Sequence, residues 1–390
     1  MRLIFCCLCL FLGELCAVQL RLDVHARNAI LMNAETGAVL YEKHAHVPVH
    51  PASTTKVATA LYVLDEKGDL SQPITVSSNA LKMKGPKQVL EAAPYWLTSD
   101  GTMMGLAKGE TLSLEVLLHG MLMVSGNDAA NVIAEGVSGS IHQFMQELNQ
   151  YLQRIGCKNT LFLNPHGLHH PEHVTTAYDL ALMMQKAVPI PSFRQIISKR
   201  TYRKPKTNKQ PEGLIKAFNP MIQPGKYFYS KIVGGKTGFH SAAQNSYVVA
   251  AEQDGRTLIA VLLGCTKREE RYEDARNLFE AAFGEKKMER VLVRSDELFT
   301  KSYAGAKTAL AATLASNLEI SFYPAEEPEV KAYVHWDSVS LPIRKGQRVG
   351  EIRALDSAGR ILASSELFAR TEVKGTFFFV LKEQFNHIFR

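Results

Sequence analysis

Cysteine nearly vanishes once the opening stretch of the chain is set aside. Four of the six cysteines (Cys6, Cys7, Cys9 and Cys16) lie in that stretch, leaving only Cys157 and Cys265. A disulfide framework is therefore not what holds this chain together. The two remaining residues, one after a helical pattern and one after a strand-like run, read as buried thiols. Apolar runs long enough to span a bilayer are missing as well; the segment 3–12 is too short for that. No basic block is interleaved with aromatic residues, so the net charge of +7 does not indicate nucleic acid. A mildly positive surface suits anionic phospholipid or an acidic polymer instead. Internal repeats and low-complexity linkers are absent too.

What remains is a globular composition, 46% apolar and 21% charged, in 390 residues. That length exceeds one ordinary core and implies two domains or more. Met1-Arg2 followed by the apolar segment 3–12 reads as an export signal occupying 1–17, with cleavage after Ala17. Cys16 raises lipid attachment, but Leu12-Gly13-Glu14-Leu15 fits such a signal poorly.

Segment 29–43 reads as a hairpin turning at Glu35-Thr36-Gly37. After Pro48 and Pro51, Val57, Leu61 and Leu64 fall at helical spacing over 53–65. Helices are expected over 112–123, 127–137, 142–155 and 175–187. Strands follow over 232–237, 246–253 and 257–263, then a helix over 270–283. A sheet drawn from both ends of a domain around a helical insertion is an α+β arrangement. We expect an antiparallel sheet flanked by helices over 18–285 and a small β-rich domain over 286–374. The latter rests on alternating segments 330–336, 348–354 and 361–369.

Three short motifs carry the chemistry. Ser53-Thr54-Thr55-Lys56 is the only Ser-x-x-Lys in the chain, and on a helix it puts the lysine amine within reach of the serine hydroxyl. A serine is a poor nucleophile until a base takes its proton, and a lysine with a lowered pKa can do so. Composition alone would yield roughly one such match in a chain of this length. Ser125-Gly126-Asn127 lies on a turn between two apolar helices, where Ser125 could relay a proton and Asn127 could orient a substrate. Ser77-Ser78-Asn79 has the same form without those helices and reads as a loop. Lys236-Thr237-Gly238 ends a strand-like run. There Lys236 would hold an anionic group and depress the pKa of Lys56, and Thr237 could bind a carboxylate. Gly238 leaves room for a substrate strand. The backbone N–H of Phe239, with that of Ser53, would form an oxyanion hole.

The three motifs in this order resemble those of the penicillin-recognising serine enzymes. Asn164-Pro165-His166-Gly167-Leu168 and Thr175-Thr176-Ala177-Tyr178-Asp179-Leu180-Ala181 look like segments of low-molecular-mass D-alanyl-D-alanine carboxypeptidases of the penicillin-binding protein 5 type. The stretch 341–352 resembles the small β domain of that group. The resemblance implies a β-lactamase/transpeptidase-like fold and hydrolysis of the terminal D-Ala-D-Ala bond of peptidoglycan pentapeptides. The implied acyl-enzyme forms on Ser53, with Lys56 as base and Ser125 as proton relay, and β-lactam antibiotics would acylate the same serine. No metal or organic cofactor is implied. The expected location is the periplasm or the outer face of the cytoplasmic membrane.

Phe239 stands where many relatives carry histidine, and the role of that side chain does not pass to His240. Arg271, with Arg268 close behind, is the candidate for the substrate carboxylate. His166, His169, His170 and His173 fit no common zinc spacing. In the tail 375–390, Phe377, Leu381, Phe385 and Ile388 share one helical face beside cations, a pattern suited to a membrane interface. The alternatives are a D,D-endopeptidase using the same groups, a β-lactamase lacking an evident deacylating glutamate, or a penicillin-sensing or wall-binding module.

Overall fold

The computed structural model describes residues 9–11, 19–85 and 92–378. The chain forms two compact units, Gln19–Gly284 and the residues from Glu285 onward together with the strand Cys9–Phe11. Apart from that strand, the expected export segment and the expected cleavage point after Ala17 lie outside the described residues. So does the tail beyond Phe378.

In the larger unit five strands form one antiparallel sheet. Val39–Lys43 is at one edge, then Asn28–Asn33, Arg256–Cys265 and Gln244–Gln253, with Ile232–His240 at the other edge. Both ends of the unit therefore supply strands, and the expected α+β arrangement is what the chain adopts. The hairpin turn is fixed by Asn33, whose Oδ1 accepts from Glu35 N (2.8 Å) and Thr36 N (3.0 Å). Arg256–Cys265 is buried along its whole length. Between Leu258 and Leu263 it is accordingly apolar on both faces. Its alternate residues Ile259, Val261 and Leu263 join the main core, and helix α7 (Glu270–Phe283) packs on the same strand.

The helical insertion carries α1 (Lys56–Tyr62), α2 (Leu114–Met123), α3 (Asn127–Ser138), α4 (Ile141–Arg154), α5 (Ala177–Ala187) and α6 (Pro191–Ser198). Serine and threonine caps start several of them. Ser140 Oγ accepts from Gln143 N at 3.1 Å and Thr176 Oγ1 from Asp179 N at 3.0 Å. Gly139, at φ 78°, ends α3. Helix α6 was not among the expected elements, although Pro191 at its first position is an ordinary start signal. Both Cys157 and Cys265 are free and buried, as expected.

The smaller unit is β-rich. Its six-stranded sheet runs Cys9–Phe11, Lys331–Trp336, Arg348–Leu355, Ile361–Ala369, Leu310–Leu314, Phe299–Lys301. A separate pair joins Met288–Val293 to Leu318–Phe322. Alternating residues such as Leu310, Ala312, Leu314, Ile352 and Leu367 form its own core.

Candidate active site

The segment before Ser53 is held in a costly shape. Ala52 adopts φ 51°, a left-handed conformation that a non-glycine residue occupies at about 1–3 kcal/mol. Two hydroxyls lock it: Thr54 Oγ1 donates to Pro51 O (2.8 Å) and Thr55 Oγ1 to Ala52 O (2.9 Å). Behind them His173 Nδ1 accepts from Leu163 N (3.1 Å), so its Nε2 carries the proton and donates to Thr55 Oγ1 at 2.9 Å. The result is a short 3-10 turn, Ala52–Thr55, leading directly into α1 with Ser53 half-buried at the turn.

Lys56 is fully buried. Its Nζ lies 2.6 Å from His166 O, 2.7 Å from Asn127 Oδ1 and 3.0 Å from Ser53 Oγ. Burial and then the neighbouring Lys236 hold its pKa well below the ordinary lysine value, with Asp128 opposing. A neutral amine has two N–H donors and one lone pair. The two shortest contacts go to oxygens that can take those donors, which leaves the lone pair facing Ser53 O–H.

Ser125 and Gly126 lie on the turn from α2 to α3, and Asn127 opens α3. Ser125 is buried and takes φ 64°, a second strained non-glycine residue in the site. Asp128 fixes the covering loop. Its carboxylate accepts from the N–H groups of Met104 (2.7 Å), Gly105 (2.8 Å), Leu106 (3.0 Å) and Ala129 (2.9 Å). Asn127 N donates to Thr102 O (2.8 Å), tying the same loop to the Lys56 shell.

Lys236, Thr237, Gly238 and Phe239 lie on the edge strand, one side of which has no neighbouring strand among the described residues. Gly238 runs hard against the nucleophile: a Cβ there would stand 3.0 Å from Ser53 N and 3.0 Å from Pro51 O. Lys236 is buried, and burial followed by the charge of Arg271 brings its pKa down to about 7. Its Nζ donates to Thr237 O at 2.7 Å. The Phe239 side chain is 64% exposed.

Arg271 departs from the arrangement expected of it. It is buried beneath the edge strand, donating to Gly238 O (2.9 Å), Ser246 O (3.1 Å) and Tyr272 OH (2.9 Å). Only its Nε lacks a partner. A guanidinium so engaged braces the strand, and its charge falls on Lys236.

Segment 164–168 forms the remaining wall. Asn164 Oδ1 accepts from Gly167 N (2.6 Å) and its Nδ2 donates to Leu168 O (2.9 Å), closing the loop on itself. His166 Nδ1 accepts from Leu168 N (3.1 Å), so Nε2–H donates to Tyr95 O (3.1 Å). Burial and then Lys56 drive its pKa down to about 3, so the ring is neutral. What His166 offers Lys56 is its backbone carbonyl. Sequence reasoning missed Asp128, Asn164 and His173 as site builders. Asn164 lay inside a motif already singled out and Asp128 directly follows one, and only tertiary contacts reveal what they bind.

A family model described as D-alanyl-D-alanine carboxypeptidase matches residues 16–267. The D-alanyl-D-alanine carboxypeptidase DacF of Bacillus subtilis is 29% identical over 90% of this chain and 86% of its own. DacD of Escherichia coli is 27% identical over 94% and 91%. Among solved structures, penicillin binding protein 5 from Haemophilus influenzae shares the fold at a TM-score of 0.62 and 23% identity, covering 91% of this chain and 99% of its own.

Proposed function

The chain belongs to the D-alanyl-D-alanine carboxypeptidase family, and on that premise we propose Ser53 as the nucleophile of its serine-type peptidase chemistry. The enzyme removes the terminal D-alanine from peptidoglycan pentapeptides through an acyl-enzyme, and β-lactams acylate it. The observation that carries the assignment is the buried Lys56 Nζ at 3.0 Å from Ser53 Oγ, with its two N–H donors matched to other oxygens.

Neutral Lys56 takes the Ser53 proton as Oγ attacks the penultimate carbonyl. The oxyanion forms against the Ser53 N–H and the edge-strand N–H of Phe239. Lys236 and Thr237 receive the substrate carboxylate, Asn127 steadies Lys56, and Arg271 supports the strand and adds positive field. Collapse breaks the C–N bond, and the proton held by Lys56 reaches the departing D-alanine nitrogen through Ser125. Water then adds to the ester carbonyl while Lys56 takes its proton, and Ser53 leaves reprotonated.

Incubation with a pentapeptide and, separately, with a cross-linked dimer tests the reading. Release of D-alanine from the first with the second intact supports the carboxypeptidase; the reverse makes the enzyme a D,D-endopeptidase. Ser53→Ala abolishes both turnover and covalent penicillin labelling.

Export and peripheral membrane attachment belong to the same proposal. Among the described residues no helix is long and apolar enough to cross a membrane, and Phe377 and Phe378 are 71% and 84% exposed at the start of the tail. Truncation after residue 374 abolishes sedimentation with anionic phospholipid vesicles; undiminished sedimentation would refute the anchor.

A further inference from the structure

Three imidazole rings meet at one end of the cleft. Ring centroids of His50 and His169 are 4.6 Å apart, those of His169 and His240 5.3 Å, and those of His50 and His240 6.2 Å. Each comes from a different wall: His50 just before Ser53, His169 just after Gly167, and His240 just after Gly238. The acyl-transfer chemistry uses none of them.

Their hydrogen bonds show which edges remain available. His50 Nδ1 lies 3.1 Å from the His173 carbonyl, which can only accept, so the proton is on Nδ1 and Nε2 keeps its lone pair. His240 Nδ1 accepts from Ala243 N at 3.1 Å, so its Nε2–H is a donor. The His169 side chain is exposed.

Among the described residues, no carboxylate is among the charges acting on His169 or His240. After burial, the charges acting on His169 are those of His50, His170 and Lys84, and those acting on His240 are His169 and His50. All of them oppose protonation, and His240 sits at about 4. The remaining neighbour, His173, is buried and held neutral by burial and by surrounding histidines. An anion placed among these rings would meet no competing carboxylate and would itself favour their protonation.

Position says which anion. With the substrate carboxylate at Lys236 and Thr237 and the scissile carbonyl at Ser53, the acyl side of the peptide runs on past Phe239 at about 3.3 Å per residue. That path leads to His240. The geometry points to an anion subsite in which His50, His169 and His240 receive a carboxylate carried by the residue preceding the D-Ala-D-Ala terminus. This inference rests on the peptidase reading above. A bound carboxylate stabilises imidazolium, so protons are taken up with it and the preference strengthens as pH falls.

The test uses two peptides ending in D-Ala-D-Ala, identical except that the preceding side chain ends in a carboxylate or in its primary amide. At pH 6 the full-length enzyme should favour the acid by about tenfold in kcat/KM, a charge-assisted hydrogen bond's worth, and by less at pH 8. The ratio should fall towards one in His169→Gln and in His240→Gln. Taken within one preparation, the ratio is insensitive to how much of a variant is folded. Equal turnover at pH 6, or a ratio retained in both variants, overturns the subsite. A second arm compares acylation by two penicillins, with and without a carboxylate on the acylamino side chain. If neither peptide is cleaved but the carboxylated penicillin reacts faster in the parent and not in the variants, the subsite stands and the peptidase reading falls. Equal penicillin reactivity in the parent overturns the subsite.

Discussion

Gly167 presses against Ala52 so closely that a Cβ on Gly167 would stand 1.9 Å from the Ala52 carbonyl oxygen. Gly167 also adopts φ 90°, a conformation that side-chain-bearing residues rarely take. The loop that holds Lys56 through the His166 carbonyl therefore also buttresses the turn that presents Ser53.

Gly167→Ala meets both obstacles. The positive φ and the overlap with backbone each cost about 1–3 kcal/mol, and relief requires Ala52 to move. A displacement near 1 Å at the nucleophile is worth about a hundredfold in rate. We expect penicillin labelling to slow by about that factor and the melting temperature to fall. Labelling within threefold of the parent would show that the turn does not depend on this contact.

The two buried lysines set the pH dependence. Acylation rises with pH as Lys56, held well below its ordinary value, loses its proton. Carboxylate binding in the free enzyme fades as Lys236, at about 7, loses its own. A bell-shaped kcat/KM follows, its limbs belonging to the coupled pair. Arg271→Gln removes a cation that depresses Lys236, so the alkaline limb should move to higher pH even as activity drops. A limb that stays in place would detach Arg271 from Lys236. For stability the sign is also set: between about 7 and 10.5 folded Lys236 binds fewer protons than the unfolded chain. Its contribution to stability therefore grows as pH rises through that window and is lost as pH falls towards 7.

Much of the site was legible because its chemistry is encoded at short range. Ser53 and Lys56 are one helical turn apart, and Lys236 to Gly238 sit on a strand whose apolar run announces it. The helix over 270–283 and the central strands were equally plain, since burial on one or two faces leaves a periodic pattern. What stayed hidden depends on contacts between residues far apart in sequence. Nothing local in the sequence reveals that Arg271 donates to Gly238 O. The same holds for His173, whose partner Thr55 lies 118 positions away. The short strands over 288–322 escaped notice because their alternation is weak and interrupted by turns.

Asp128 offers the sharpest separation of structural from electrostatic roles. Its Oδ1 accepts from Met104 N and Ala129 N, and its Oδ2 from Gly105 N and Leu106 N. In Asp128→Asn one oxygen keeps its pair, while the new NH2 group faces two backbone donors it cannot satisfy. The expected loss is roughly 2–4 kcal/mol, visible as a lower melting temperature. The charge matters separately, because Asp128 is the group that opposes the fall of the Lys56 pKa. Without it Lys56 deprotonates more readily, so the acid limb of penicillin acylation should shift to lower pH in the fraction that folds. Loosening the 101–106 loop alone would lower the rate without moving that limb. An acid limb left in place, or moved upward, would reduce Asp128 to a strut for the loop that covers Asn127.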